Sequence, residues 1–395
     1  MAFEMIEDAA NNGFNSGTNI KVIGMGGGGG NAVEHMIVSG VKGVEFICAN
    51  TDAQALKTSS SHRFIQLDRS GLGAGGKPQV GRDTAEQAQA EIRDALEGAH
   101  MLFITAGMGG GTGTGAAPVV ARIAREMGIL TVAVVTKPFE FEGTKRLSNA
   151  DIGLEELEKN VDSLIVVLNE KLLEVYGDDI SQKEAFAKAN DVLKNATGGI
   201  AEIINVPGMI NADFEDVKTV MGEPGKAMMG TAVSSGADRA RLAAEQAVVC
   251  PLLDGVDLSG AKGVLVNITA DDSLKLSETR EAMNAIRAYA APDAHIIFGT
   301  VNDPSMGDSL RVTVLATGLS KARVTVKAAP SLTVLRTGTD SGPMSMGHGA
   351  GIDASQIPAI WRNPRGSAPS AHVNALMQSG MEEMEIPAFL RKQAD

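Results

Sequence analysis

Six glycines and two threonines fall within nine residues, Gly107 to Gly115, inside "FITAGMGGGTGTGAAPVV" (103–120) and directly after an apolar run. A turn between a strand and a helix needs one or two glycines, and surplus glycine costs conformational entropy on folding. The excess implies that something approaches this backbone closely. A second run, "GMGGGGGN" (24–31), fits G-x-G-x-x-G through Gly24, Gly26 and Gly29. It too follows a strand pattern and opens a helix pattern, the context that gives such a match weight. A third stretch, "GLGAGG" (71–76), has the composition of a loop that can close over an outer phosphate. Backbone N–H groups at helix starts, joined by the hydroxyls of Thr112 and Thr114, are the chemistry that cradles phosphate. Two such cradles at one sheet edge suit a nucleotide with a polyphosphate chain. The Walker pattern, GxxxxGK followed by Ser or Thr, is absent, which excludes the P-loop class.

Carboxylates form the second candidate group. In "GMINADFEDVKTVM" (208–221), Asp213 and Asp216 stand three apart at the start of a helix pattern. Spacing alone favours capping, with Asp213 as N-cap and Asp216 in the first turn near the positive dipole end. The same spacing puts both acids on one helical face, where they can jointly order a water or a cation. Glu142 and Arg146 in "FEGTKR" read first as an i,i+4 surface pair worth only ~0.3–0.5 kcal/mol. Phe186 reads first as core packing. Asp52 stands about twenty residues beyond the first glycine run, where a dinucleotide-binding fold places its ribose acid. That position supports an NAD-dependent oxidoreductase as the alternative, which leaves Gly107–Gly115 without a role. A nucleotide-gated scaffold without turnover is the other alternative, and it leaves Asp213 and Asp216 without one.

The elements that must position these groups follow a βα rhythm. Apolar strands are expected at 20–25, 44–50, 101–106, 129–138 and 163–169, and Asn31 as the N-cap of the helix that follows the first. Further helices are expected at 83–99, with Asp83 at the cap, at 116–128 and at 153–161. Strands apolar throughout, alternating with helices, imply a parallel sheet covered on both faces. A long helix fills 181–205, with Gly198–Gly199 able to kink it. Strands at 263–270, 295–301 and 310–318 and a helix near 277–291 make a second, smaller unit. The fold class is therefore α/β: a Rossmann-like parallel-sheet domain, a long connecting helix, a second α/β domain, then a disordered linker and a short tag. The corresponding bounds are a disordered arm at 1–18, the nucleotide-binding domain at 19–180, the connecting helix at 181–207 and the second domain at 208–327. The linker occupies 328–384 and the tag 385–395.

Composition limits the partners. Of 395 residues 44% are hydrophobic, enough for sizeable cores, and the net charge is −13. Such a chain is repelled by nucleic acid and by anionic membrane surfaces. Cys48 and Cys250 lie in apolar surroundings outside any CxxC pair, which reads as inert thiols in a reducing compartment. The acidic start lacks the pattern of a signal peptide, and no apolar run approaches the ~20 residues of a spanning helix. A soluble, cytoplasmic protein is expected.

"GGGTGTG" (109–115) resembles the signature of the tubulin/FtsZ superfamily, and "VIGMGGGGGNAVEHM" and "TVAVVTKPFEFEGTKR" are similar to the FtsZ branch. The resemblance runs from about Ile20 to Gly318 and resumes over 385–395. It implies a GTPase that polymerises head to tail and forms the bacterial division ring at midcell, with GTP, GDP and Mg²⁺ as its ligands. On that resemblance Gly27, Gly28, Gly29, Gly30 and Asn31 form the first nucleotide loop. Gly110, Gly111, Thr112, Gly113 and Thr114 surround the phosphates, and Ala74, Gly75 and Gly76 sense the terminal one. Glu142 and Arg146 contact sugar and nucleotide, while Phe186 and Asn190 meet the guanine ring. Asn211, Asp213 and Asp216 match a loop that enters the pocket of the next subunit and completes hydrolysis there. The ending "EIPAFLRKQAD" resembles the peptide that docks on membrane-tethering partners such as FtsA and ZipA. The linker before it departs from the family's pattern, and Trp361 within it has no assigned role.

Overall fold

The computed structural model describes residues 17–319, except 178, 207, 224–225 and 250–259. The expected arm (apart from residues 17 and 18), the linker, the tag, Trp361 and Cys250 lie outside the described residues.

Six parallel strands come first in the chain: β1 (Ile20–Met25), β2 (Glu45–Asn50), β3 (Arg63–Gln66), β4 (Met101–Gly107), β5 (Leu130–Lys137) and β6 (Ser163–Leu168). Their spatial order, β3-β2-β1-β4-β5-β6, is that of a doubly wound nucleotide-binding sheet. β1 and β4 are buried on both faces, as their mainly apolar sequences require, and Lys21 in β1 is accommodated by donating to the Ala95 carbonyl at 2.9 Å. Between the strands run α1 (Gly26–Val38), α2 (Ala53–Lys57), α3 (Pro78–Gln87), α4 (Gln89–Leu96), α5 (Thr112–Glu126) and α6 (Thr144–Glu158). After β6 comes α7 (Asn169–Tyr176), then the 24-residue α8 (Gln182–Asn205). A capping box fixes where α8 starts: Glu184 N–H donates to the Ser181 hydroxyl (3.3 Å) and Ser181 N–H donates to the Glu184 carboxylate (3.1 Å).

The second half holds α9 (Phe214–Met221), β7 (Lys226–Ser235), α10 (Arg239–Val248), β8 (Gly263–Ala270), α11 (Leu276–Arg287), β9 (His295–Asn302) and β10 (Ser309–Leu319). β10 pairs antiparallel with β7 and β8, and β8 pairs parallel with β9. β7 continues the first sheet through two register pairs, Leu164 with Lys226 and Ile165 with Ala227. The described strands therefore form one ten-stranded sheet.

Several helix starts differ from the sequence expectation. α1 begins at Gly26, so Asn31 lies within the helix and is not its N-cap. The expected helix 83–99 is two helices that meet at Ala88, and the first begins at Pro78. Proline at the first helical position has a preset φ and lacks an N–H that would go unpaired there, so it sets this start. Asp83 is inside α3, where its carboxylate accepts from the Gln79 amide at 2.8 Å. α5 and α6 also start early, at Thr112 and Thr144. β3, α2, α7, β7 and α10 had no counterpart in the expectation. Cys48 is buried and free, with the Ser59 hydroxyl donating to its sulfur at 3.3 Å.

Candidate functional site

A cavity of about 360 Å³ opens at the carboxyl ends of β1, β4 and β5, where Met25, Gly107 and Thr136 face it. The amino ends of α1 and α5 meet there, and neither helix has an acidic residue in its first turn. Their unpaired N–H groups thus leave the cavity floor electropositive. Gly27 and Gly28 of α1, Asn31 one turn on, and Gly110, Gly111, Thr112 and Gly113 line this floor.

The glycines of the floor divide by what a side chain would meet. A Cβ at Gly27 or Gly110 would have nothing within 4 Å, so the cavity is bounded there by bare backbone. A Cβ at Gly29 would collide with the Thr105 carbonyl oxygen, and one at Gly115 with that of Pro78. Part of the glycine excess therefore lets α1 press on β4 and α5 on α3. The close approach foreseen from sequence is partly the chain's own.

The opposite wall comes from α8 through Phe186, Asn190 and Leu193. Phe186 is 38% exposed and rests edge-on against the buried Phe139, with ring centroids 5.4 Å apart. It is not core packing; one side of its ring is held and the other is free to stack. The Asn190 amide has no hydrogen-bond partner among the described residues. Glu142 and Arg146 pair with each other on the rim, and Glu142 also accepts from Phe139 N–H at 3.0 Å. The expected surface pair is present, and it lines the cavity.

Asn169 lines the cavity too and was not foreseen as a site residue. It is 3% exposed, and its carbonyl oxygen has no donor among the described residues. The available signal was a polar residue ending "SLIVVLN", a strand whose carboxyl end shares the edge with both glycine runs.

Other expected residues stand outside the cavity wall. Gly30 opens on a neighbouring hollow of about 140 Å³ that also holds Glu34, Cys48 and Asn50. The Thr114 hydroxyl accepts from Gly109 N–H at 2.8 Å and so braces the turn. Gly75 and Gly76 have positive φ, 57° and 70°, in open space, while Ala74 is buried against the Gly111 turn. Asp52 caps α2 by accepting from Gln54 N–H at 2.8 Å, and it does not line the cavity. The dinucleotide alternative thus loses its ribose acid.

Asp213, Asp216 and Asn211 are exposed and lie far from the cavity. Asp213 accepts from Asp216 N–H at 2.9 Å, so the expected cap of α9 is formed. The Asp216 carboxylate has no partner among the described residues. The Asn211 side chain accepts from Gly208 N–H and donates to the Val206 carbonyl, both at 2.8 Å, which fixes the loop before α9. Phe214 of α9 packs edge-on against His100, the residue just before β4, at 6.1 Å. The cavity begins at Gly107, the last residue of that strand. Seven strand residues at ~3.3 Å each put the two places about 20 Å apart, on opposite edges of the sheet.

Among the described residues no group of three or more His, Cys, Asp or Glu is placed to hold a metal, and no helix is long and apolar enough to cross a membrane.

Comparison with known proteins agrees with this geometry. The family model for the Tubulin/FtsZ family, GTPase domain, matches residues 19–177, and that for the FtsZ family, C-terminal domain, matches 225–320. The cell division protein FtsZ of Pseudomonas putida is 51% identical over 386 residues, spanning 95% of this chain and 97% of its own. That of Pseudomonas aeruginosa is 49% identical over 399 residues and spans both chains fully. Among solved structures, an empty FtsZ dimer from M. jannaschii is 42% identical with a TM-score of 0.73, covering 76% of this chain and 88% of that one. With a cavity built from two glycine-rich helix starts, two matching domains and relatives this similar end to end, the chain belongs to the tubulin/FtsZ family of GTPases.

Proposed function

We propose that this chain is a GTP-dependent, self-assembling GTPase of cell division whose catalytic site is shared between neighbouring copies. The separation of Asp213 and Asp216 from the cavity by the height of the sheet carries this reading. A single copy cannot bring the acids to its own nucleotide, whereas a copy stacked edge to edge on another can. The phosphates of GTP would lie on the N–H groups of Gly27, Gly28, Gly110 and Gly111 and on the Thr112 hydroxyl. The ribose would lie by Glu142 and Arg146, and the base on Phe186, within reach of the Asn169 and Asn190 amides. The Asn169 oxygen lacks a donor among the described residues, and guanine offers N–H donors at N1 and N2.

The side-chain atoms on the floor that could ligate a metal are oxygens, the Thr112 hydroxyl and the Asn31 amide oxygen, which suits Mg²⁺ carried in on the nucleotide. Bound there, the ion would neutralise charge on the phosphate oxygens. Asp216 of the adjoining copy, free of local partners, would orient the attacking water, with Asp213 holding the helix start and Asn211 the loop. Head-to-tail stacking of this kind is heterologous and generates filaments. The domain bounds 19–180, 181–207 and 208–327 give each half-site its own unit, joined by α8.

The tag 385–395, with Ile386, Phe389 and Leu390 beside Arg391 and Lys392, would tether filaments through partners such as FtsA and ZipA, in the cytoplasm at the midcell ring. Removing it should leave hydrolysis intact and abolish recruitment by those partners; equal binding of the truncated chain would contradict this. The shared site is tested by turnover per subunit across a dilution series, with light scattering in GTP and in GDP. Specific activity should rise above an assembly threshold, and concentration-independent turnover would overturn the reading.

A further inference from the structure

Thr51 directly follows β2 and is wholly buried, with its hydroxyl oxygen 2.6 Å from that of Thr112. Thr112, the first residue of α5, lines the cavity, and each hydroxyl is the other's hydrogen-bond partner. The Thr51 backbone is held as well: its carbonyl accepts from Gly73 N–H at 3.2 Å, and Asp52 bridges Leu72. Thr51 thus presents a buried hydroxyl, on a backbone held by its neighbours, behind a residue of the phosphate-facing floor.

We propose that Thr51 is a positioning residue for the phosphate site, fixing where the Thr112 oxygen sits and which way its proton points; the proposal rests on the GTP reading. Each hydroxyl has one proton. Without nucleotide, either hydroxyl can donate to the other. A phosphate oxygen only accepts. Once it arrives, Thr112 gives its proton to the phosphate, and the contact between the hydroxyls then holds only if Thr51 donates to Thr112. The result is a directed chain, Thr51 to Thr112 to phosphate, in which each bond polarises the next. Valine at position 51 would keep the shape but lose the proton. The Thr112 oxygen would then face a methyl group in a buried place, and its side chain would turn to pack methyl against methyl.

The test is a double-mutant cycle on the full chain, reading GTP hydrolysis above the assembly threshold and nucleotide binding to dispersed protein. Thr51→Val should lower kcat/KM by up to about tenfold, the upper size of a net hydrogen bond between neutral groups such as the two hydroxyls. Thr51→Ser should stay within about twofold of the parent, and adding Thr51→Val to Thr112→Val should cost less than about twofold more. Parental activity in Thr51→Val would overturn the proposal. So would a Thr51→Ser variant as slow as Thr51→Val, in step with lost thermal stability, or additive losses in the double variant. A parent that neither binds nor hydrolyses GTP would overturn the GTP reading itself. A parent that turns over GTP with an additive cycle overturns the role of Thr51 alone.

Discussion

Two inactive variants should restore each other when mixed. Asp216→Ala removes a carboxylate without local partners and keeps the cap, because Asp213 accepts from the backbone N–H of residue 216. Gly110→Val places its side chain where a Cβ meets nothing within 4 Å, in the space that the proposed site gives to phosphate. The first change should slow hydrolysis by about 10²–10⁴-fold, the usual cost of losing a group that orients water. The second should block binding. Neither variant can supply its own missing half, since Phe186 on the cavity wall and Asn205 at the far end of α8 are separated by about 28 Å of helix. In an equimolar mixture each cavity meets a neighbour's acids at random, so about one interface in four is intact and turnover should recover to about a quarter of the parental rate. The assay is phosphate release from each variant alone and from the mixture, with sedimentation to show that both enter the filaments. A mixture that merely sums the two separate rates, while both variants sediment, would refute the shared site.

Asp213→Ala, unlike Asp216→Ala, should cost about 1 kcal/mol of stability because it removes the cap of α9; equal thermal unfolding of the two variants would contradict the division of roles. Gly111→Val should unfold the protein as well as block nucleotide, because a Cβ there lies 2.7 Å from the Ala74 Cβ and 3.0 Å from Lys77 N. Gly110→Ala should retain the parental melting temperature and lose affinity for GTP. Arg239, 4% exposed, donates to Glu278 at 2.8 Å, and this hydrogen bonding holds the Glu278 carboxyl below its ordinary value. Its stabilisation is present above the unfolded carboxylate pKa and is lost as pH falls through the lower, folded one. Glu278→Ala should therefore cost about 3–5 kcal/mol at neutral pH and progressively less in acid, read from urea unfolding at both; a pH-independent difference would contradict the pairing.

Much of the first sheet was legible because its strands are apolar on both faces and its helices are amphipathic. β7 was not: "KAMMGTAVSS" mixes small and polar residues, since it pairs with β10 along most of its length and with β6 at only two positions. Helix starts were misplaced wherever glycine opened a helix, at Gly26 and just beyond Gly111, because glycine reads locally as a loop and only packing against β4 or α3 makes it helical. For the site, glycine composition located the floor but could not separate Gly115, which is pressed against Pro78, from Gly110, which faces open space. Asn169 escaped notice because a single asparagine after a strand carries no spacing signal. Its significance lies in an oxygen buried without a donor, which only coordinates reveal.

A cavity floor of bare backbone also restricts how the site can change by mutation. Every substitution at Gly27 or Gly110 adds atoms, so at those two positions the floor can become smaller and never larger. At Gly29 and Gly115 the added atom strikes the chain itself. A compound that competes for this cavity by contacting the floor alone therefore leaves the protein few ways to evade it, since a change that excludes the compound also excludes the phosphates. Adaptation would fall to the side chains that line the cavity, Asn31 and Thr112 on the floor, Phe186 and Asn190 on the α8 wall or Arg146 on the rim, where atoms exist to be exchanged. A compound that touched only the glycine backbone would deny it even those positions.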